Sequence, residues 1–116
     1  MPGVLLALLA ACAAAPVPLQ HVVLIKLQDP AGTPELLAEC REKLPGIPGV
    51  SSCVVGQPVD LGRTAVDGDY DVGLVITFAT PGDYQAYLEH PAHVALVAAW
   101  KPRWSWIRIH DFMPPP

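Results

Sequence analysis

Strand-like and helix-like patterns take turns along this chain. His21–Gln28 (HVVLIKLQ) is rich in β-branched residues and contains neither Gly nor Pro, which reads as a strand. The two-residue period places His21, Val23, Ile25 and Leu27 on one face. Asp29–Gly32 is a turn, and Thr33-Pro34-Glu35 then has the composition of a helix start. Thr33 suits the cap, Pro34 the first helical position and Glu35 the positive end of the helix dipole. Leu36, Leu37, Cys40 and Leu44 mark one helical face, and Pro45-Gly46 stops the helix.

Val50–Gly56 reads as a second, less clearly patterned strand, and the stretch from Gln57 to Asp69 as a loop. Tyr70–Ala79 is the clearest strand. Tyr70, Val72, Leu74, Ile76 and Phe78 share one face, and smaller residues take the other. Thr80 caps a second helical segment that runs through Tyr84 and Tyr87 to about His90. Pro91 breaks it, a further helix covers His93–Trp100, and Trp104–Phe112 is the last strand. The order β-α-β-β-α-β is the α+β, ferredoxin-like split βαβ pattern. It predicts a four-stranded antiparallel sheet with helices on one face. The other face is bare and apolar, so a second copy of the chain is expected to cover it.

The length of 116 residues allows one domain. Net charge is -4, with no cluster of Lys or Arg, which argues against nucleic acid and against an acidic membrane surface as partner. Part of the 52% hydrophobic content lies in the first 19 residues. Val4–Ala11 is too short to span a bilayer and fits the apolar region of a secretory leader. Leu9-Ala10-Ala11-Cys12 is similar to a bacterial lipobox, which makes Cys12 the candidate for lipidation, although no Lys or Arg precedes the apolar run. Residues 1–19 are therefore read as a signal peptide or lipoprotein leader, 20–113 as the folded domain and 114–116 as a proline tail. Export is expected, with membrane attachment only through the lipid; without a working leader the domain is cytoplasmic. Cys40 and Cys53 pair in an oxidising compartment or serve as two small buried hydrophobes, and their spacing is not that of a zinc site.

Candidate chemistry concentrates in Tyr87-Leu88-Glu89-His90-Pro91-Ala92-His93, which holds two of four His and one of three Tyr. A His that abstracts a proton next to a carbonyl and a Tyr that donates to the developing enolate oxygen form an acid/base pair. An unbroken helix would align the two residues poorly; the break at Pro91 lets them face each other. The competing role for His93 is to pack the helix junction. His90 orients the turn or joins the pocket. His21 either lines the pocket or bonds a neighbouring carbonyl, and His110 is a solvated strand residue. His90 and His93 lack the further ligands of a dedicated metal site, so neither metal nor cofactor is expected. Trp100, Trp104 and Trp106 line a cavity or fill a core or interface.

With the elements placed, the chain resembles the stress-responsive A/B barrel (Dabb) family. The residues that carry the likeness are His21–Leu27, Tyr70–Phe78, the segment Tyr87-x-x-His90-Pro91-x-His93 and the closing strand ending in Asp111-Phe112. The resemblance spans residues 20–113. It implies a homodimeric α+β barrel, two sheets face to face, each monomer enclosing a pocket between sheet and helices. One member, the plant olivetolic acid cyclase, closes a linear polyketide by aldol condensation with a His and a Tyr. The resemblance assigns that Tyr to Tyr87, that His to His93, a pocket His to His21, and further pocket positions to Val23, Ile25 and Leu74. Leu36 and Cys40 stand where the cyclase has aromatics. The expectation is a small apolar pocket that binds a small apolar or aromatic ligand in a stress-related role. The alternative is a cofactor-free enzyme, a polyketide-cyclase-like or small monooxygenase activity, using His93 and Tyr87.

Overall fold

The computed structural model describes residues 18–116, so nearly all of the leader and the proposed lipidation site at Cys12 lie outside the described residues. The elements are β1 (Leu19–Leu27), α1 (Thr33–Lys43), β2 (Val50–Gly56), β3 (Val72–Phe78), α2 (Pro81–Glu89), α3 (Pro91–Trp100) and β4 (Trp104–Phe112). Single turns of 3-10 helix at Pro30–Gly32 and Lys101–Arg103 lead into α1 and β4. The four strands form one antiparallel sheet in the order β2-β3-β1-β4, the ferredoxin-like arrangement. Among the described residues no helix is long and apolar enough to cross a membrane.

β1 starts at Leu19, two residues ahead of the sequence reading. Leu19 is buried opposite Phe78, so the end of the expected leader is part of the sheet. β3 is shorter than the alternation suggests, because Tyr70 and Asp71 approach β1 as a bend: the Asp71 carboxylate accepts from the Leu27 backbone N–H at 2.7 Å. Within β3 the large face is buried as expected, with Val72, Leu74, Ile76 and Phe78 all under the helices. Those side chains pack with Val23, Ile25, Leu27, Leu36, Cys40, Tyr87, Leu96 and Trp100 into one core between sheet and helices. Removing this apolar surface from water is the main stabilising term for a domain of this size.

Two caps position the helices, and one of them differs from the sequence reading. Thr80 Oγ1 accepts from Asp83 N at 3.1 Å, as a capping Thr should. Thr33 does not cap α1. The preceding 3-10 turn, held by Asp29 Oδ1 on Ala31 N at 2.9 Å, runs straight into the helix, so Gly32 takes the cap position. Thr33 is left inside the first turn, its hydroxyl buried without a partner among the described residues. Gly49 has φ 92°, and a Cβ there would lie 3.0 Å from the Asp83 side chain; glycine lets the chain turn into β2 beneath α2.

The outer sheet face carries Val22, Leu24, Val54 and Val75 among Gln20, Lys26, Thr77, Arg108 and His110. Val54 and Val75 are neighbours in register and are 64% and 39% exposed. His110 is exposed on this face, as a solvated strand residue. Trp106 lies here too, beneath the Arg108 guanidinium at 4.0 Å, so it takes no part in the inner cavity.

Candidate acid/base pocket

A cavity of about 250 Å3 lies between the inner face of the sheet and the three helices. Its walls are almost wholly apolar. β1 contributes Val23 and Ile25, β3 Leu74 and Ile76, and α1 Leu36 and Cys40, with Leu44 at its C-cap. Polar atoms gather at one end, where His21, Tyr84, Tyr87 and His93 meet. Ile109 on the edge strand β4 lines the cavity and is still half exposed, so the mouth lies along that strand.

The break between α2 and α3 builds the polar end. His90 takes an extended conformation (φ -64°, ψ 136°) and closes one helix while opening the next. Pro91 imposes this, since the residue before proline is pushed out of the helical region. The chain direction changes, and His93 comes back over Tyr87, with 4.6 Å between ring centroids. A continuous helix would have kept residues six apart on different faces.

Hydrogen bonds fix the state of His93. Its Nδ1 lies 3.1 Å from the Leu88 carbonyl oxygen. A carbonyl only accepts, so Nδ1 carries the hydrogen and Nε2 of the neutral ring keeps its lone pair. Burial pulls the pKa of His93 below its ordinary 6.5, against the smaller opposing effect of the Leu88 carbonyl. The neutral, accepting ring is therefore the dominant form at pH 7. Tyr87 is 2% exposed, and burial raises its pKa well above the ordinary 10, so it remains a phenol. A neutral base and a protonated donor thus stand in ring contact at the end of an apolar cavity.

Two further polar residues complete this end, and the sequence reading did not select them. Asp111 on β4 stands opposite His21 on β1, and its Oδ1 lies 2.6 Å from His21 Nδ1. The Tyr84 hydroxyl donates to the other oxygen, Oδ2, at 2.9 Å. Burial, then the Asp111 carboxylate, push Tyr84 up to about 12. His21 also stacks against Tyr84 at 4.8 Å between centroids, and Phe78 packs against both tyrosines at 5.2 and 5.0 Å. Tyr84 had a visible signal, because it lies three residues before Tyr87 and so shares its helical face. Asp111 had none beyond its place in the closing strand, since its partner is set by the register of two strands 90 residues apart.

The other expected site residues divide cleanly. His21, Val23, Ile25 and Leu74 line the cavity, as do Leu36 and Cys40. His90 does not line it. Its Nδ1 accepts from Ala92 N at 3.1 Å, which makes His90 the cap of α3 and the holder of the turn. Trp100 and Trp104 are both wall and core. Cys40 is buried and Cys53 half-buried, and both are free thiols. Burial pushes Cys40 up to about 12, which leaves it an inert wall residue. Among the described residues no group of three or more His, Cys, Asp or Glu is placed to hold a metal ion.

Comparison with known proteins follows the same lines. No curated protein matches the chain in sequence. A Dabb-family protein with a ferredoxin-like fold from Mesorhizobium loti superposes with a TM-score of 0.72 at 24% identity, covering 86% of this chain and 99% of that one. A dimeric ferredoxin-like protein of unknown function from Thermobifida fusca gives 0.70 at 22% identity, covering 88% and 95%. A hydroxynitrile lyase from Passiflora edulis gives 0.73 at 12% identity, covering 86% and 95%. The family model of the stress responsive A/B barrel domain matches residues 19–114, and the chain belongs to that family.

Proposed function

We propose that this A/B barrel protein works as a homodimer whose cavity binds a small, mainly apolar carbonyl compound, and that His93 and Tyr87 move a proton on it without a cofactor. The observation that carries this reading is the fixed tautomer of His93. Its Nδ1–H is held by the Leu88 carbonyl, so the lone pair of Nε2 is available beside the Tyr87 phenol. In the proposed step a C–H bond next to the carbonyl breaks and its proton goes to His93 Nε2. The electron pair moves onto the carbonyl oxygen, where the Tyr87 O–H stabilises the enolate. The apolar walls supply binding and exclude water. Asp111 and Tyr84 hold the His21 ring at the same end, so the substrate meets a preset arrangement.

The test uses methyl hexyl ketone in deuterium oxide. Binding is followed by ligand NMR, and exchange of the protons next to the carbonyl is timed with and without protein. The wild type should bind the ketone and accelerate exchange. His93→Ala should still bind it but lose the acceleration, whereas Glu42→Ala, at an exposed position of α1 away from the cavity, should keep it. A His93→Ala protein that exchanges as fast as the wild type rules out the acid/base step and leaves a binding pocket.

The dimer rests on the outer sheet face. Val22 and Val75 are direct neighbours across β1 and β3, Val54 continues the patch, and Phe112 is 58% exposed at its edge. The chain has all its helices on the opposite face, and the similar ferredoxin-like protein from Thermobifida fusca is dimeric. Sedimentation should give twice the mass of 12.4 kDa for the full chain and one mass for Val75→Asp, because a carboxylate cannot be buried unpaired in such an interface. Export with an acylated Cys12 belongs to the same proposal, and the mass of the mature N-terminus from a membrane fraction tests it.

A further inference from the structure

α3 runs the length of the cavity. His93, Leu96, Val97 and Trp100 all line it, so one face of the helix forms a wall, about 10 Å from His93 to Trp100 at the usual rise. β1 spans the same interval. At the polar end the His21 ring lies 6.2 Å from that of Tyr87, and at the other end of the β1–β4 ladder Leu27 pairs with Trp104. Trp100 stands at that far end and is held from outside. Its Nε1 donates to one oxygen of the Glu39 carboxylate, and Lys43 Nζ donates to the other at 2.8 Å. The Arg103 guanidinium covers the indole ring at 3.9 Å and reaches Glu35 at 3.3 Å. Behind Arg103 comes Gly32, where an added Cβ would lie 2.6 Å from Nη2 of Arg103 and 3.5 Å from Leu27. Turn, guanidinium and indole are thus stacked in layers. Trp104 has no such hold: its Nε1 is buried without a partner among the described residues, and its ring is placed by packing.

We propose that Trp100 is the end wall of the cavity and sets the longest unbranched tail its ligand can carry. This rests on the carbonyl-binding reading above and adds a substrate class: a straight-chain ketone whose carbonyl sits at the His93–Tyr87 end and whose tail runs along Leu96 and Val97 to the indole. Each methylene buried in an apolar site tightens binding about four-fold. That gain lasts only while there is space, because a close-packed interior resists the insertion of further methylenes. The Glu39 bond and the Arg103 stack fix the ring, so it acts as a stop where an unheld side chain would shift to admit a longer tail. Trp100 thereby discriminates between ketones that differ only in length.

A series of methyl n-alkyl ketones, from butyl to decyl, tests it on the full chain. In the wild type, affinity should rise about four-fold with each methylene and then stop rising at one tail length. Trp100→Val should move that break to a longer tail, because the space left by the indole takes the extra methylenes. In the wild type, the terminal methyl of the ketone at the break should show nuclear Overhauser contacts to the Trp100 ring protons of isotope-labelled protein. A break at the same length in Trp100→Val, a wild-type series that rises without a break, or a bound tail that touches no Trp100 proton overturns the end wall and leaves the carbonyl pocket standing. If no ketone of the series binds, the carbonyl pocket fails and this inference fails with it. The wild-type series and contacts decide the matter even if Trp100→Val does not fold.

Discussion

The two ends of the cavity are built by different physics. At the end formed by His21, Tyr84, Tyr87 and His93, directional bonds set the geometry: Leu88 to His93, Asp111 to His21, Tyr84 to Asp111. In the apolar walls, Leu36, Cys40, Leu44 and Ile76 are held by close packing alone. The first end decides what the pocket can do to a ligand. The apolar walls decide whether the pocket exists. Substitutions at the polar end should therefore alter chemistry with little loss of stability, and substitutions among the apolar walls should do the reverse.

The largest expected effect is on chemistry. His93→Ala should slow proton exchange in bound methyl hexyl ketone by about 100-fold or more, the ordinary contribution of a positioned general base. Its denaturation midpoint should stay near that of the wild type, because the residue is only partly buried. A large loss of stability with unchanged exchange would reassign His93 to packing the helix junction. Next comes Leu36→Ala, among the apolar walls. Leu36 is 1% exposed, and truncation should cost about 2–4 kcal/mol in urea unfolding, since the walls already adjoin empty volume and can relax only in part. The pH profile of exchange in that variant should match the wild type. A changed profile would mean that the two ends are not separable.

Tyr84→Phe probes the seam between them. It removes one hydrogen bond to Asp111 and keeps the ring that stacks on His21, so it should cost about 1 kcal/mol of stability. Exchange should fall by less than in His93→Ala, because Tyr84 acts through Asp111 and His21 and not on the ligand. Fluorescence or calorimetric titration with the ketone separates a loss of affinity from a loss of rate.

The same division explains what could be read from the sequence. Packing leaves periodic marks, so the strand faces of β1 and β3, the helical face of α1 and the breaks at Pro45 and Pro91 were all legible, and with them the sheet and the apolar wall. Tyr87 and His93 were legible as a pair because Pro91 lies between them. Register is different. Nothing local in Trp104–Phe112 says that Asp111 falls opposite His21, or that Leu27 pairs with Trp104 across an irregularity in the ladder. Asp111 and the orphaned Trp104 N–H are products of that pairing, and so they become visible only in the folded chain. Thr33 and His90 show the converse. Each has a residue type that suits two roles, and the neighbouring backbone decides between them: the turn at Pro30–Gly32 takes the cap from Thr33, and the extended His90 backbone gives that ring to α3.

The smallest effect is the one that ties both ends together, through pH. His93 has a folded-state pKa below 6.5, with burial as the main cause and His21 adding a little in the same direction. The unfolded chain therefore binds a proton at higher pH than the folded one does. Stability from this group is complete above about pH 6.5 and falls as the pH drops from there to the folded pKa. Activity follows the same sign: the neutral base persists below 6.5, so the acid limb of ketone exchange should have its midpoint under that value. Tyr87, raised above 10, keeps its proton on the alkaline side and adds no limb up to about pH 10. Urea unfolding of the wild type and His93→Ala between pH 5 and 7.5 isolates the term, because every other titrating group is common to both proteins. The difference in slope should appear only below about pH 6.5 and carry the sign of a destabilised wild type. An acid limb above 6.5, or a slope of opposite sign, would mean that His93 is held as a cation, and a cation at that position cannot take a proton from a bound ketone.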